Sequence, residues 1–109
     1  MIPDLVLENQ KSGRMIVLDT KFTPHVLDSG PWLTPRFRRE HLFQIYAYLR
    51  SQEHRSPAYR AATGILLYPT VNHAVSERVE IQGHAIRWET VDLAESWQAI
   101  ESRLLAIAT

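Results

Sequence analysis

The run Met15-Ile16-Val17-Leu18, closed by Asp19-Thr20-Lys21-Phe22, limits most what this chain can become. Consecutive apolar residues rich in β-branched types predict a buried β-strand. Asp19 and Lys21 interrupt that strand at its far end. Side chains two apart on a strand share a face, so a carboxylate and an ammonium are brought to one place. Upstream, Pro3 to Asn9 reads as a second strand, and Gln10-Lys11-Ser12-Gly13 as a turn. A hairpin with that loop sets residue 9 against 14, 7 against 16 and 4 against 19. Asp4 then lies across from Asp19 on the same face, with Lys21 one pleat further on. Two facing carboxylates repel, and a divalent cation or a shared proton would hold them there.

The remaining chain is read as the surroundings of that cluster. At 109 residues, a single domain spanning 1–109 is expected, with room for one modest core. Apolar residues make up 45% and charged residues 22%, an ordinary globular composition with no apolar run long enough for a membrane span. No signal peptide is read at the start, and there is no cysteine for a disulfide or a thiolate zinc site. A cytoplasmic protein without a membrane partner is therefore expected. Net charge is zero, but Arg36, Arg38, Arg39, Arg50, Arg55 and Arg60 face only Glu40 and Glu53 between residues 36 and 60. Such a segment beside the carboxylates suits phosphate contacts, with Arg36 and Arg39 the nearest candidates, or is simply a solvated face.

After Phe22 comes a turn-rich connection holding Pro24, Pro31 and Pro35, with Trp32 expected to anchor it on the core. Thr34 and Pro35 form a helix start, and the helix is expected to reach about Gln52. Leu42, Ile45, Tyr46 and Leu49 give it a sheet-facing stripe. Phe37, His41, Gln44 and Tyr48 align on the adjacent face. From there Gln44 can bond a phosphate, a metal-bound water or Lys21, and Tyr48 can support it or touch a nucleic-acid backbone; the plain alternative is a surface glutamine and a core tyrosine. His41 reads as an ordinary half-buried helix residue, with a ligand role as the alternative. Residues 51–57 read as a polar loop. The stretch Tyr59 to Pro69 contains an apolar strand, read as buried on both faces and ended by the proline, beside strand 15–22 after a helical crossover. Residues 70–77 are read as a loop, Arg78 to Val91 as an edge hairpin turning at Gln82-Gly83, and Asp92 with Glu95 as the cap of a last helix. Leu93, Trp97, Ile100, Leu104 and Ile107 are its expected stripe. His25, His54, His73 and His84 show no ligand spacing and are read as surface residues.

Pro3-Asp4 followed by Asp19-Thr20-Lys21 resembles the Pro-Asp…Asp/Glu-x-Lys signature of the PD-(D/E)XK nucleases. Gln44-Ile45-Tyr46-Ala47-Tyr48 resembles the Gln-x-x-x-Tyr element of their RecB-like branch. Together with Gly64-Ile65-Leu66-Leu67-Tyr68-Pro69, the wording is most similar to the nuclease domain of the McrC family, the cleavage subunits of modified-cytosine restriction systems. The resemblance covers roughly residues 2 to 70. It implies an α/β restriction-endonuclease-like core, a mixed central sheet flanked by helices. It also implies a metal-dependent DNA endonuclease in which Asp4, Asp19, Lys21 and Gln44 are catalytic. Asp4, Asp19 and the Thr20 backbone carbonyl would hold Mg2+, with Mn2+ able to substitute, and Tyr48, Arg36 and Arg39 would meet nucleic acid. DNA and a McrB-like GTPase motor are the partners it implies. That branch carries a further acid on a helix before the first strand, and no counterpart to it is expected among residues 1–109. A fragment of a longer protein truncated at its N-terminus, a minimal nuclease and a decayed remnant stay open. So does a non-catalytic module that keeps the fold and binds nucleic acid or a partner subunit, as does an RNA-directed nuclease. Pairing of the first strand with a second copy would give a homodimer.

Overall fold

Apolar strands buried on both faces at the centre and more exposed strands at the edges build one mixed sheet, against which two longer helices pack. The computed structural model describes residues 2–21, 35–70 and 76–108, and of 35–38 the backbone alone. The strands are β1 (Leu5–Glu8), β2 (Met15–Thr20), β3 (Thr63–Thr70), β4 (Ser76–Ile81) and β5 (His84–Asp92). Helix α1 (Pro35–Gln52) crosses from β2 to β3, a single-turn α2 (Pro57–Arg60) follows it, and α3 (Trp97–Ala108) follows β5. The sheet runs β1-β2-β3-β5-β4, with β2, β3 and β5 parallel and the outer strands antiparallel to their neighbours. This is an α/β fold compatible with a restriction-endonuclease-like core. Among the described residues no helix is long and apolar enough to cross a membrane.

The expected hairpin register is present. Leu5 pairs with Leu18 and Leu7 with Ile16. The loop closes where Asn9 N–H donates to the Arg14 carbonyl at 2.8 Å. Asn9 Oδ1 accepts the amides of Lys11 and Ser12, and Gly13 takes φ +71°, a left-handed conformation that suits glycine.

One sheet face and α1 enclose the larger core: Met15, Val17, Leu66, Tyr68, Ile86 and Trp88 beneath Ile45 and Leu49. Leu42 and Tyr46 pack at its margin, which completes the expected stripe. Gly64 lies under this crossing, and a Cβ there would stand 2.9 Å from Ile45 Cδ1. The other face gathers Ile16, Ile65, Leu67 and Val91 against Ile107 of α3. Glu89, 2% exposed, ties α3 down: its carboxylate takes Arg103 from the helix at 2.7 Å and Arg87 from its own strand at 3.1 Å.

Several expectations are corrected. Pro69 does not end β3, which pairs on through Pro69 with Val91 and Thr70 with Asp92. Leu67 carries its carbonyl towards β2, where it accepts the Lys21 amide at 2.8 Å. Residue 69 points the same way, and the next parallel rung would run from its N–H to Lys21. Proline has none, so it ends the β2–β3 ladder at Lys21 and costs β5 nothing. Residues 51–57 are not one loop: Ser51 and Gln52 close α1, Glu53–Arg55 form a 3-10 turn, and Ser56 caps α2. β4 already starts at Ser76, and its hairpin turns at Gln82 and Gly83, both with positive φ. Asp92 belongs to β5 and its Oδ1 accepts the Ala94 amide; Ser96 caps α3, its hydroxyl accepting from Ala99. The stripe of α3 is thinner than expected, with Ile107 buried but Trp97 67% exposed.

His84 is not a surface residue. It is fully buried where β5 begins, on the inward-facing row with Ile86 and Trp88, between the Ala62 carbonyl and Glu53. His54 is exposed as expected. The expectations for His25, Trp32, Thr34, His73 and the side chains of Arg36 and Phe37 fall outside the described residues.

Candidate active site

β2 ends at Thr20 beside Leu67 of its parallel neighbour β3, and there the apolar face under α1 turns polar. Val17 faces α1, so Asp19 and Lys21 follow it on the same side. Asp19 is 6% exposed, and its Oδ2 meets Lys21 Nζ at 2.9 Å. Continuing the hairpin register by one pair sets Asp4 across from Asp19. Asp4 is exposed, and its Oδ2 accepts the Thr20 backbone N–H at 2.7 Å, which fastens the start of β1 to the end of β2. The peptide of Thr20 is thus held by the first acid while its neighbours carry the second acid and the amine.

Helix α1 closes the site from above. Gln44 is exposed on the helix, yet its Oε1 accepts Lys21 Nζ at 2.7 Å. The ammonium is therefore held between a buried carboxylate and an amide, with two of its three hydrogens engaged by the described residues. One turn earlier, His41 Nδ1 lies 2.8 Å from the Tyr68 hydroxyl, whose ring is wholly buried in β3. Tyr48 is half-buried against the core margin, and Arg39 is exposed on the first turns of α1. The structure thus gathers Asp4, Asp19, Thr20, Lys21 and Gln44 at one end of the sheet and sets Tyr48 beside the core.

Burial first, and the Lys21 ammonium second, hold His41 below the ordinary histidine value of 6.5, against the opposing pull of Glu40 and Asp19. Between the lowered folded value and 6.5, the unfolded chain binds a proton that the fold does not. Stability from the neutral ring is thus complete above 6.5 and declines as pH falls through the folded value. Urea unfolding midpoints taken from about pH 7.5 down to about pH 5 should fall for the wild type and fall less for His41→Gln. Equal slopes would show that His41 does not carry the effect.

His41 and Tyr68 were the residues least legible as site members. The only sequence signal was the three-residue spacing from His41 to Gln44. Tyr68 reaches the site through a parallel register that sequence alone does not specify.

The described carboxylates form a pair, not a cluster: no group of three or more His, Cys, Asp or Glu is gathered to hold a metal ion among the described residues. The donors at hand are two carboxylates and the Thr20 carbonyl, all hard oxygens. That set suits magnesium, which uses one or two carboxylates and otherwise water or phosphate oxygens.

The mixed α/β sheet, with an Asp-x-Lys at the end of a parallel strand, a second Asp across from it and a helix glutamine above, is compatible with a restriction-endonuclease-like core. No family model matches the chain. Over 98 residues, 90% of its length, the chain is 31% identical to the type IV methyl-directed restriction enzyme EcoKMcrBC of Escherichia coli K12, which supports a McrC-like relationship. The match takes in 27% of that protein, so the chain spans about a quarter of the relative's length.

Proposed function

We propose that this chain is the nuclease module of a restriction-type system, a member of the PD-(D/E)XK superfamily that hydrolyses DNA phosphodiester bonds with Mg2+ or Mn2+. The observation that carries this reading is the Lys21 ammonium, held at 2.9 Å from buried Asp19 and 2.7 Å from Gln44, beside Asp4. Asp4, Asp19 and the Thr20 carbonyl would hold the metal. When bound, magnesium supplies Lewis acidity towards a phosphate oxygen.

The chain's own residues do the positioning. Lys21 directs its remaining N–H to the attacking water or to charge growing on the phosphate, where a fixed donor acts mainly in the transition state. Gln44 and Asp19 fix the direction of that donor. Thr20, bonded through its amide to Asp4, holds the strand end still. Arg39, with Arg36 three residues before it, contacts the DNA backbone, and Tyr48 supports Gln44 from the core side. A GTPase motor of McrB type and a second copy pairing along β1, an edge strand with Leu5 and Val6 exposed, are the proposed protein partners.

One observation favours a second reading, a non-catalytic module binding nucleic acid or a partner. Asp4 spends one oxygen on the Thr20 amide, and the described residues gather no third acid.

Calorimetric titration of Mg2+ and Mn2+ into wild type and Asp19→Ala, with plasmid nicking followed on the same samples, separates the two. Binding and nicking that are both lost in the variant establish a nuclease centred on Asp19. Binding without nicking in the wild type supports the second reading. No binding in either protein overturns the catalytic one.

A further inference from the structure

We propose that His41 and Tyr68 form a positioning clasp, which sets α1 over the sheet so that Gln44 meets the Lys21 ammonium. This deepens the nuclease reading and rests on it for its catalytic consequence.

The argument begins in the register. Thr20 pairs with Leu67, so Lys21 and Tyr68 occupy the next row of neighbouring strands on the face that α1 covers. Tyr68 brings a hydroxyl into a position with 0% exposure, and a buried hydroxyl needs a bonding partner. His41 supplies one at 2.8 Å, its ring tilted 31° to the tyrosine with centroids 5.7 Å apart. The proton in this bond lies on either partner, according to the imidazole tautomer.

His41 and Gln44 are three apart and rise from one face of the helix. The helix is thus tied twice to the polar end of the sheet, to β3 through Tyr68 and to β2 through Lys21. Apolar packing of Ile45 and Leu49 presses α1 onto the sheet but is tolerant of small rolls about the helix axis. A directional bond is not: hydrogen bonds weaken steeply away from linear geometry. Gln44 is exposed and would have solvent as an alternative, so its bond to Lys21 depends on where the helix puts it. The clasp limits the roll at the residue one turn away. It acts on Lys21 through Gln44, which makes His41 and Tyr68 positioning residues, not catalytic ones.

Tyr68→Phe removes one oxygen and keeps the ring, while His41→Asn retains a group able to share a proton with the hydroxyl. For cleavage, Tyr68→Phe and His41→Ala are expected to lower kcat about tenfold with KM nearly unchanged, and His41→Asn to recover part of it. In a Gln44→Ala background Tyr68→Phe should cost nothing further, since the clasp works through that residue. Additive losses, or an unchanged kcat in Tyr68→Phe, would overturn the proposal.

A second readout does not need cleavage. The Gln44 side-chain amide resonances should move in Tyr68→Phe towards their positions in Lys21→Met, where the bond is gone. Amide resonances that stay at their wild-type positions would overturn the clasp even in an active enzyme. A shift in a protein that cleaves nothing would keep the clasp and sink only the nuclease reading.

Discussion

Replacing Lys21 with methionine is expected to separate binding from chemistry. The variant should nick plasmid DNA about 10²–10³-fold more slowly, the loss typical of one fixed transition-state donor. It should still bind Mg2+, because Asp4, Asp19 and Thr20 remain. Without metal it should also be less stable, by about 3 kcal/mol, since Asp19 is 6% exposed and its ammonium at 2.9 Å would be gone. Added Mg2+ should restore much of that loss, so the rise in Tm on adding metal should be larger in Lys21→Met than in the wild type. Thermal melts with and without Mg2+, run beside the nicking assay, check all three statements. An equal rise in both proteins would mean that the metal does not replace the ammonium at Asp19. An unchanged nicking rate would remove Lys21 from the mechanism.

The second large effect is expected at Ile45. Its side chain is fully buried between α1 and the sheet, above Gly64, where a Cβ would already stand 2.9 Å away. Ile45→Ala should cost about 2–5 kcal/mol, the range for emptying such a site. Urea unfolding with the m-value held constant measures it. Ile45 also neighbours Gln44 in sequence, so nicking should fall in the folded protein as well. A loss below about 1 kcal/mol would mean that α1 settles into the gap.

What could be read from the sequence follows the reach of each physical signal. The hairpin register was legible because the turn at residues 10–13 is short and fixes which residues face each other, so Asp4 could be set opposite Asp19 in advance. Helix α1 was legible from Pro35 to Gln52, since a proline start and a sheet-facing stripe fix its type and extent. The Gln44–Lys21 bond was within reach as one of several options, because a helix over a hairpin brings the two together. Tyr68 and His84 were not legible. Each looks ordinary along the chain: Tyr68 meets His41 once α1 is packed over β3, and His84 meets the Ala62 carbonyl and Glu53 once β5 is laid in the sheet. The cap of α3 was misplaced because Asp92 and Ser96 both suit a cap, and the turn at residues 93–95 decided between them.

Pro69 gives the site a property of a different kind. It stops a hydrogen-bonded seam at a set stitch: with an N–H at residue 69, β2 and β3 could close over one more rung and draw the Lys21 peptide into the sheet. The proline therefore works as a spacer written into the backbone. It fixes where the β2–β3 seam stops at the level of the main chain, where no side-chain rotation can move it.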